Sequence, residues 1–263
     1  MKLQGKQYFH GRRLELLGDA VFNFYAFDAL IHIYPYQIYM KNWFGKWNTL
    51  KANRVLAALA FILKLDQIGD FHRKRNVATS SLADILEALV GAVYLDGGHQ
   101  EVKKLVARLV NEAFNKKVIK GIEVIDGEHS PAALLREERQ QERFEFIGSH
   151  FYNKTLQTIG SKFLVLIVTK IVLERYRNEK VKYLQEKRSL LRKSIYNIDV
   201  DNVKFLDRDA VLVVFTELLG EGYRPIRADR VYNLLIGYVY LNEGYQEAKE
   251  LVLRLVEEAD IPL

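Results

Sequence analysis

The chain has 263 residues, 49% of them apolar and 27% charged, a balance that suits one large or two small folded domains and argues against a disordered or fibrous protein. It contains no cysteine, which excludes disulfides and thiolate-held zinc. A formal net charge of +6 suits a polyanionic partner without identifying one, and apolar runs such as residues 163–168 are too short to span a bilayer, so no membrane partner is expected.

Leu14, Leu17, Val21, Phe24 and Tyr25 recur at helical spacing and predict a helix over 11–33, ended by Tyr34-Pro35. Within it, Glu15 and Asp19 stand four apart in the otherwise apolar run Arg13-Leu14-Glu15-Leu16-Leu17-Gly18-Asp19-Ala20-Val21. Residues i and i+4 share a helix face; two carboxylates there repel, and a divalent cation between them turns the repulsion into binding. Residues 36–47 read as a loop or short helical turn and 48–63 as a second helix. Residues 65–78 form a polar stretch that holds Arg73-Lys74-Arg75. Ser80 and Ser81 are candidate N-caps for a helix over 82–95. That helix carries a second acidic pair, Asp84 and Glu87, three apart and again on one face, and Asp96-Gly97-Gly98 is expected to stop it. A further amphipathic helix is predicted over 101–115. No stretch alternates with period two for long, so the expected class is all-α.

Residues 116–141 change character, with Gly, Pro and mixed charge, and read as a linker. The expected domains are 1–122 and 123–263. Past the linker the pattern repeats. Glu142-Arg143-Phe144-Glu145-Phe146-Ile147-Gly148-Ser149 lines up with Arg12 to Asp19 at an offset of 130, and Gly237 to Glu247 lines up with Gly91 to Glu101 at an offset of 146. On this register the second copy holds 16 more residues between its motifs, and the basic segment 182–193 is one place for them.

Arg13 to Val21 match a motif that reads roughly Glu-Arg-Leu-Glu-Phe-Leu-Gly-Asp-Ala-Val. Asp84 to Gly98 match Asp-x-x-Glu-Ala-Leu-x-Gly-Ala-x-Tyr-Leu-Asp-Gly-Gly almost letter for letter. In these two motifs, in this order, the chain resembles the ribonuclease III family. The resemblance implies an all-α fold of two such domains in a pseudo-two-fold intramolecular pair, as in Dicer-like proteins, with further dimerisation of whole chains left open. It implies Mg²⁺-dependent hydrolysis of double-stranded RNA, with Mn²⁺ as an alternative ion. Glu15, Asp19, Asp84 and Glu87 would be the catalytic metal ligands. On the register above, the second copy keeps Glu145 but has Ser149, Arg230 and Asn233 at the other three positions, so it is expected to be inactive. One live site per chain would nick one strand of a duplex. Arg12 stands where the motif has its leading Glu, and is expected either to pair with acid of the other copy, such as Glu142 or Glu145, or to perturb the site. A second class stays open: a non-catalytic relative that binds RNA or serves as a scaffold in a ribosome or RNA-processing complex. The expected compartment is the cytoplasm, with an organelle as the alternative.

Overall fold

The computed structural model describes residues 2–33, 40–68, 78–115, 149–198, 203 and 228–259. Among them are eight α-helices, one 3₁₀ turn and no strand, so the fold is all-α. The chain divides into two compact units, Met1–Gln140 and Gln141–Leu263. The expected boundary at 122/123, the linker, the segment 142–148 with Glu142 and Glu145, and Arg73-Lys74-Arg75 all lie outside the described residues.

The first unit is organised around α1 (Lys2–Ile33) and α4 (Thr79–Asn115). Leu17, Val21, Phe22, Phe24, Tyr25, Phe27 and Leu30 are all buried, on more than one side of α1, as befits a central helix. By length and composition, 11–33 here and 154–175 in the second unit are apolar enough to cross a membrane. Most of each is buried inside the protein, and that burial accounts for the apolarity.

Residues 40–47, expected as a loop or turn, belong to α2 (Met40–Leu50), and the single helix expected over 48–63 is broken into α2 and α3 (Asn53–Ile62). Trp47 explains the difference. It is buried, its ring meets Phe27 edge to face at 6.1 Å, and its Nε1 donates to the Asn23 carbonyl at 3.3 Å. Docking of that side chain on α1 holds the segment helical, and extended backbone at Ala52 then starts a new helix.

A 3₁₀ turn, Leu65–Gln67, follows α3. The two helices expected over 82–95 and 101–115 are one 37-residue element, bent where Gly98 takes φ 72° and ψ −169°. Gly98 has the non-helical backbone expected of a stop, but helical bonding resumes at once, so it makes a kink. Ser80 and Ser81 lie inside the first turn of α4 and not ahead of it.

In the second unit, α5 (Ser149–Arg175) packs on α7 (Ala228–Asn242), flanked by α6 (Val181–Asn197) and α8 (Tyr245–Glu258). Each unit contains the same close approach of two helices. A Cβ on Gly18 would overlap the carbonyl of Glu87, and one on Gly91 the carbonyl of Leu14; likewise one on Gly160 would overlap the carbonyl of Asn233, and one on Gly237 that of Leu156.

These contacts correct the expected register. The counterpart of Gly18 is Gly160 and not Gly148, an offset of 142, while Gly91 and Gly237 keep the offset of 146. The second copy therefore needs four extra residues between its motifs and not 16, and α6 follows α5 as α2 follows α1. In this register Leu156-Gln157-Thr158-Ile159-Gly160-Ser161 stands on Leu14-Glu15-Leu16-Leu17-Gly18-Asp19.

Candidate metal centre

Gly18 and Gly91 remove the side chains that would hold α1 and α4 apart, and the acids lie close to that contact: Glu15 one turn before Gly18 and Asp19 next to it, Glu87 one turn and Asp84 two turns before Gly91. Glu15, Asp84 and Glu87 are half-buried and can each place a carboxylate oxygen within 4.8 Å of the others. Asp19 lies alongside them. Its Oδ1 accepts from Asn23 Nδ2 at 2.6 Å, and the same amide bonds the Asp19 carbonyl at 2.8 Å, which fixes the side chain on its own helix. The structure thus gathers all four expected residues at one place, three in direct convergence and Asp19 oriented beside them.

The electrostatics follow from that crowding. Glu87 is pushed up to about 8, first by burial and then by the charges of Asp19, Glu15 and Asp84. Burial also raises Glu15, opposed by the hydrogen bond from Arg12 and reinforced by the charges of Asp84 and Asp19. Carboxylates that cannot all ionise comfortably in one half-buried place are a donor set suited to a hard divalent cation. Such an ion takes oxygen ligands and cancels the repulsion, so the residues present fit a metal.

Arg12 is found on the near side of this cluster. Its Nη1 donates to both oxygens of Glu15 at 2.8 Å and to Asp84 Oδ2 at 3.2 Å. Of the two expectations for Arg12, the contacts fit an effect on the site: it bonds acids of its own unit, one of them a single turn away on α1, while Glu142 and Glu145 lie outside the described residues. Asn23 and the partners of Arg12 were missed in the sequence. The visible signals were the four-residue step from Asp19 to Asn23 and the three-residue step from Arg12 to Glu15.

A second buried ionic group lies further along the same two helices. Asp28, 1% exposed, meets Lys103 Nζ at 3.0 Å and His32 Nε2 at 3.4 Å. Burial opposes ionisation of Asp28, but the hydrogen bond from His32 and the charge of Lys103 outweigh it and hold the carboxyl below its ordinary range. Because Lys103 follows the Gly98 kink, this pair ties the far half of α4 back to α1.

Residues 12–98 match the model of the ribonuclease III domain. This segment contains the glycine contact between α1 and α4, all four acids and Arg12. Over these residues the chain is similar to ribonuclease III domains. Among similar proteins is the Ribonuclease 3 of Carboxydothermus hydrogenoformans, 29% identical over 147 residues that cover 52% of this chain and 60% of that protein. The Ribonuclease 3 of Pseudomonas fluorescens is 32% identical over 137 residues, covering 49% and 56% respectively. That of Nitrosococcus oceani is 36% identical over 112 residues, covering 39% and 46%. The chain spans about half the length of these curated relatives. The acidic cluster distinguishes the first unit from the second. At the equivalent positions the second unit has Gln157, Ser161, Arg230 and Asn233, with no carboxylate among them.

Proposed function

We propose that this chain is a divalent-metal-dependent endoribonuclease acting on double-stranded RNA, with a single active site in its first unit. The observation that carries the reading is the convergence of Glu15, Asp84 and Glu87 to within 4.8 Å beside Asp19, inside a ribonuclease III domain. These four residues would hold Mg²⁺, or Mn²⁺ in its place. When bound, such an ion supplies Lewis-acid stabilisation of the phosphodiester and an activated water for its hydrolysis. Glu15 and Asp19 approach from α1, Asp84 and Glu87 from α4. Asn23 keeps the Asp19 carboxylate from rotating away. Half-burial of the cluster limits competing solvent and strengthens every charge interaction within it.

Loss of all four carboxylates at the equivalent place in the second unit supports one live site per chain. We take that unit as the pairing partner of the first, so that one chain nicks one strand of a duplex in each binding event. Covalent linkage would favour such pairing by raising the effective concentration.

The test is cleavage of an end-labelled RNA duplex, each strand labelled in turn, with Mg²⁺ or Ca²⁺, and with Glu87→Gln protein as control. Cutting of one strand per binding event, lost in Glu87→Gln, is the expected outcome. Paired cuts on both strands by a monomeric protein would sink the single-site reading. A second reading is favoured by Arg12, which already bonds two of the candidate ligands: a non-catalytic RNA-binding protein. Duplex binding with no cutting under either metal would establish it.

A further inference from the structure

In the second unit the position of the acidic cluster has not been left vacant. Lys154, Gln157, Ser161, Arg230 and Asn233 stand where the first unit has Arg12, Glu15, Asp19, Asp84 and Glu87. The formal charge of the set goes from −3, four carboxylates and one arginine, to +2, one lysine and one arginine. Loss of a metal site needs only the loss of ligands. Here two of the five positions are cationic and the other three carry neutral hydrogen-bonding side chains.

The flanking helix adds to the same place. Tyr196 of α6 donates its hydroxyl to Asn233 Oδ1 at 3.1 Å, and Arg192, one turn earlier, donates Nη2 to that hydroxyl at 3.3 Å. This chain of bonds fixes the amide. With Oδ1 accepting from the phenol, the Nδ2 of Asn233 is the donor end of the amide. Arg192 is held over the Tyr196 ring, 5.7 Å from its centroid. Arg230 sits one turn before Asn233 on α7 and is exposed. Two guanidinium groups and an oriented amide N–H₂, with no carboxylate in the equivalent set, make a donor array for an oxyanion.

We propose that this place is a phosphate-binding site, formed by Arg192, Arg230 and Asn233 and directed at a backbone phosphate of double-stranded RNA. It rests on the proposed reading that the chain acts on duplex RNA. The fold element that offers carboxylates for a metal in the first unit offers cationic donors to the polyanion in the second. Phosphate contacts of this kind position a duplex without reading its sequence.

The experiment uses the full chain in EDTA, so that no cutting occurs, and a fluorescently labelled RNA duplex followed by anisotropy across about 50 to 200 mM salt. Arg230→Gln is the principal variant because its side chain is exposed and its loss spares the core; Arg192→Gln is the second, with circular dichroism melts run on both. Each is expected to weaken duplex binding about tenfold and to reduce the slope of log affinity against log salt by about 1. Affinity and slope unchanged in folded Arg230→Gln and Arg192→Gln would overturn the site, while wild-type binding to the duplex keeps the broader RNA reading. Failure of the wild-type protein to bind any duplex would overturn that broader reading, and the RNA assignment of the site with it. Inorganic phosphate is tested by thermal shift on the same proteins. If it protects wild type but not Arg230→Gln while duplex affinity is identical in both, the site holds a free phosphate and the RNA assignment falls.

Discussion

Gly18 of α1 and Gly91 of α4 pack backbone against backbone, with the amide nitrogen of Gly91 only 3.0 Å from where a Cβ on Gly18 would stand. The obstructing atoms are main chain, so no rotamer change can make room for an added methyl. Gly18→Ala must push the two helices apart, and the acids of the cluster move with them. The expected cost is about 3 kcal/mol of stability in denaturant melts, together with loss of divalent-metal binding. Gly45→Ala is the control. Nothing lies within 4 Å of its added methyl, and the change should stabilise α2 by about 0.5–1 kcal/mol. Equal effects of the two substitutions would show that the close approach is not what orders the site.

Arg12 holds Glu15 and Asp84 with the oxygens a metal would use, so it is a cation already resident on the ligand set. Metal binding must displace that guanidinium or share its acceptors. Arg12→Gln is therefore expected to bind Mn²⁺ about tenfold more tightly, by titration calorimetry or by the loss of the free-ion electron paramagnetic resonance signal. The same variant should melt at a lower temperature in EDTA, because the like charges then face one another without a counter-ion. Weaker Mn²⁺ binding in Arg12→Gln would mean that Arg12 organises the site and does not compete for it.

Much of the first unit was legible because short-range signals and tertiary structure agree there. The acid pairs are separated by one helical turn, and i, i+3 and i, i+4 geometry puts each pair on one face wherever the helix ends. Where tertiary contacts decide, the reading failed. Nothing local in residues 40–47 announces a helix, since its reason is Trp47 docking on Phe27 and the Asn23 carbonyl, 20 and 24 positions back in the chain. The repeat register failed for another reason. Glu142-Arg143-Phe144-Glu145-Phe146-Ile147-Gly148 resembles the motif in letters, whereas Leu156-Gln157-Thr158-Ile159-Gly160-Ser161 has lost its charges and keeps the first leucine and the glycine at the helix crossing. Backbone proximity at Gly160 and Gly237 identifies the true counterpart, and it carries no acid at all.

Glu87, pushed up to about 8, gives the metal-free protein a pH dependence of definite sign. A carboxyl whose folded value is raised binds its proton more tightly folded than unfolded. Its contribution is fully present below the unfolded value, near 4.5, and is lost as pH rises toward about 8. In EDTA the wild-type melting temperature should therefore decline between these limits, and Glu87→Gln should decline less. Mg²⁺ added at the upper end should restore the wild type but not Glu87→Gln. Parallel pH profiles for the two proteins in EDTA would show that Glu87 is not the proton-holding member of the cluster.

Asp28 has the opposite sign. Its folded value is depressed by His32 and Lys103 in spite of burial, so its stabilisation is present above the unfolded value, 3.8, and is lost as pH falls through the lower folded one. Asp28→Asn keeps the shape but removes the charge that Lys103 meets at 3.0 Å. At neutral pH the substitution should cost about 1–3 kcal/mol, since a charge-assisted hydrogen bond in a buried place is lost while Lys103 retains partial access to water. As pH is lowered below 3.8 the gap between the two proteins should close, because the wild-type carboxyl becomes neutral as well. The measurement is urea unfolding at a series of pH values. A gap that persists undiminished in acid would assign the cost to packing at Asp28 and not to its charge. Lys103→Met separates the two further: it should reproduce most of the loss at neutral pH and loosen the half of α4 beyond Gly98, seen as faster amide exchange in 101–114.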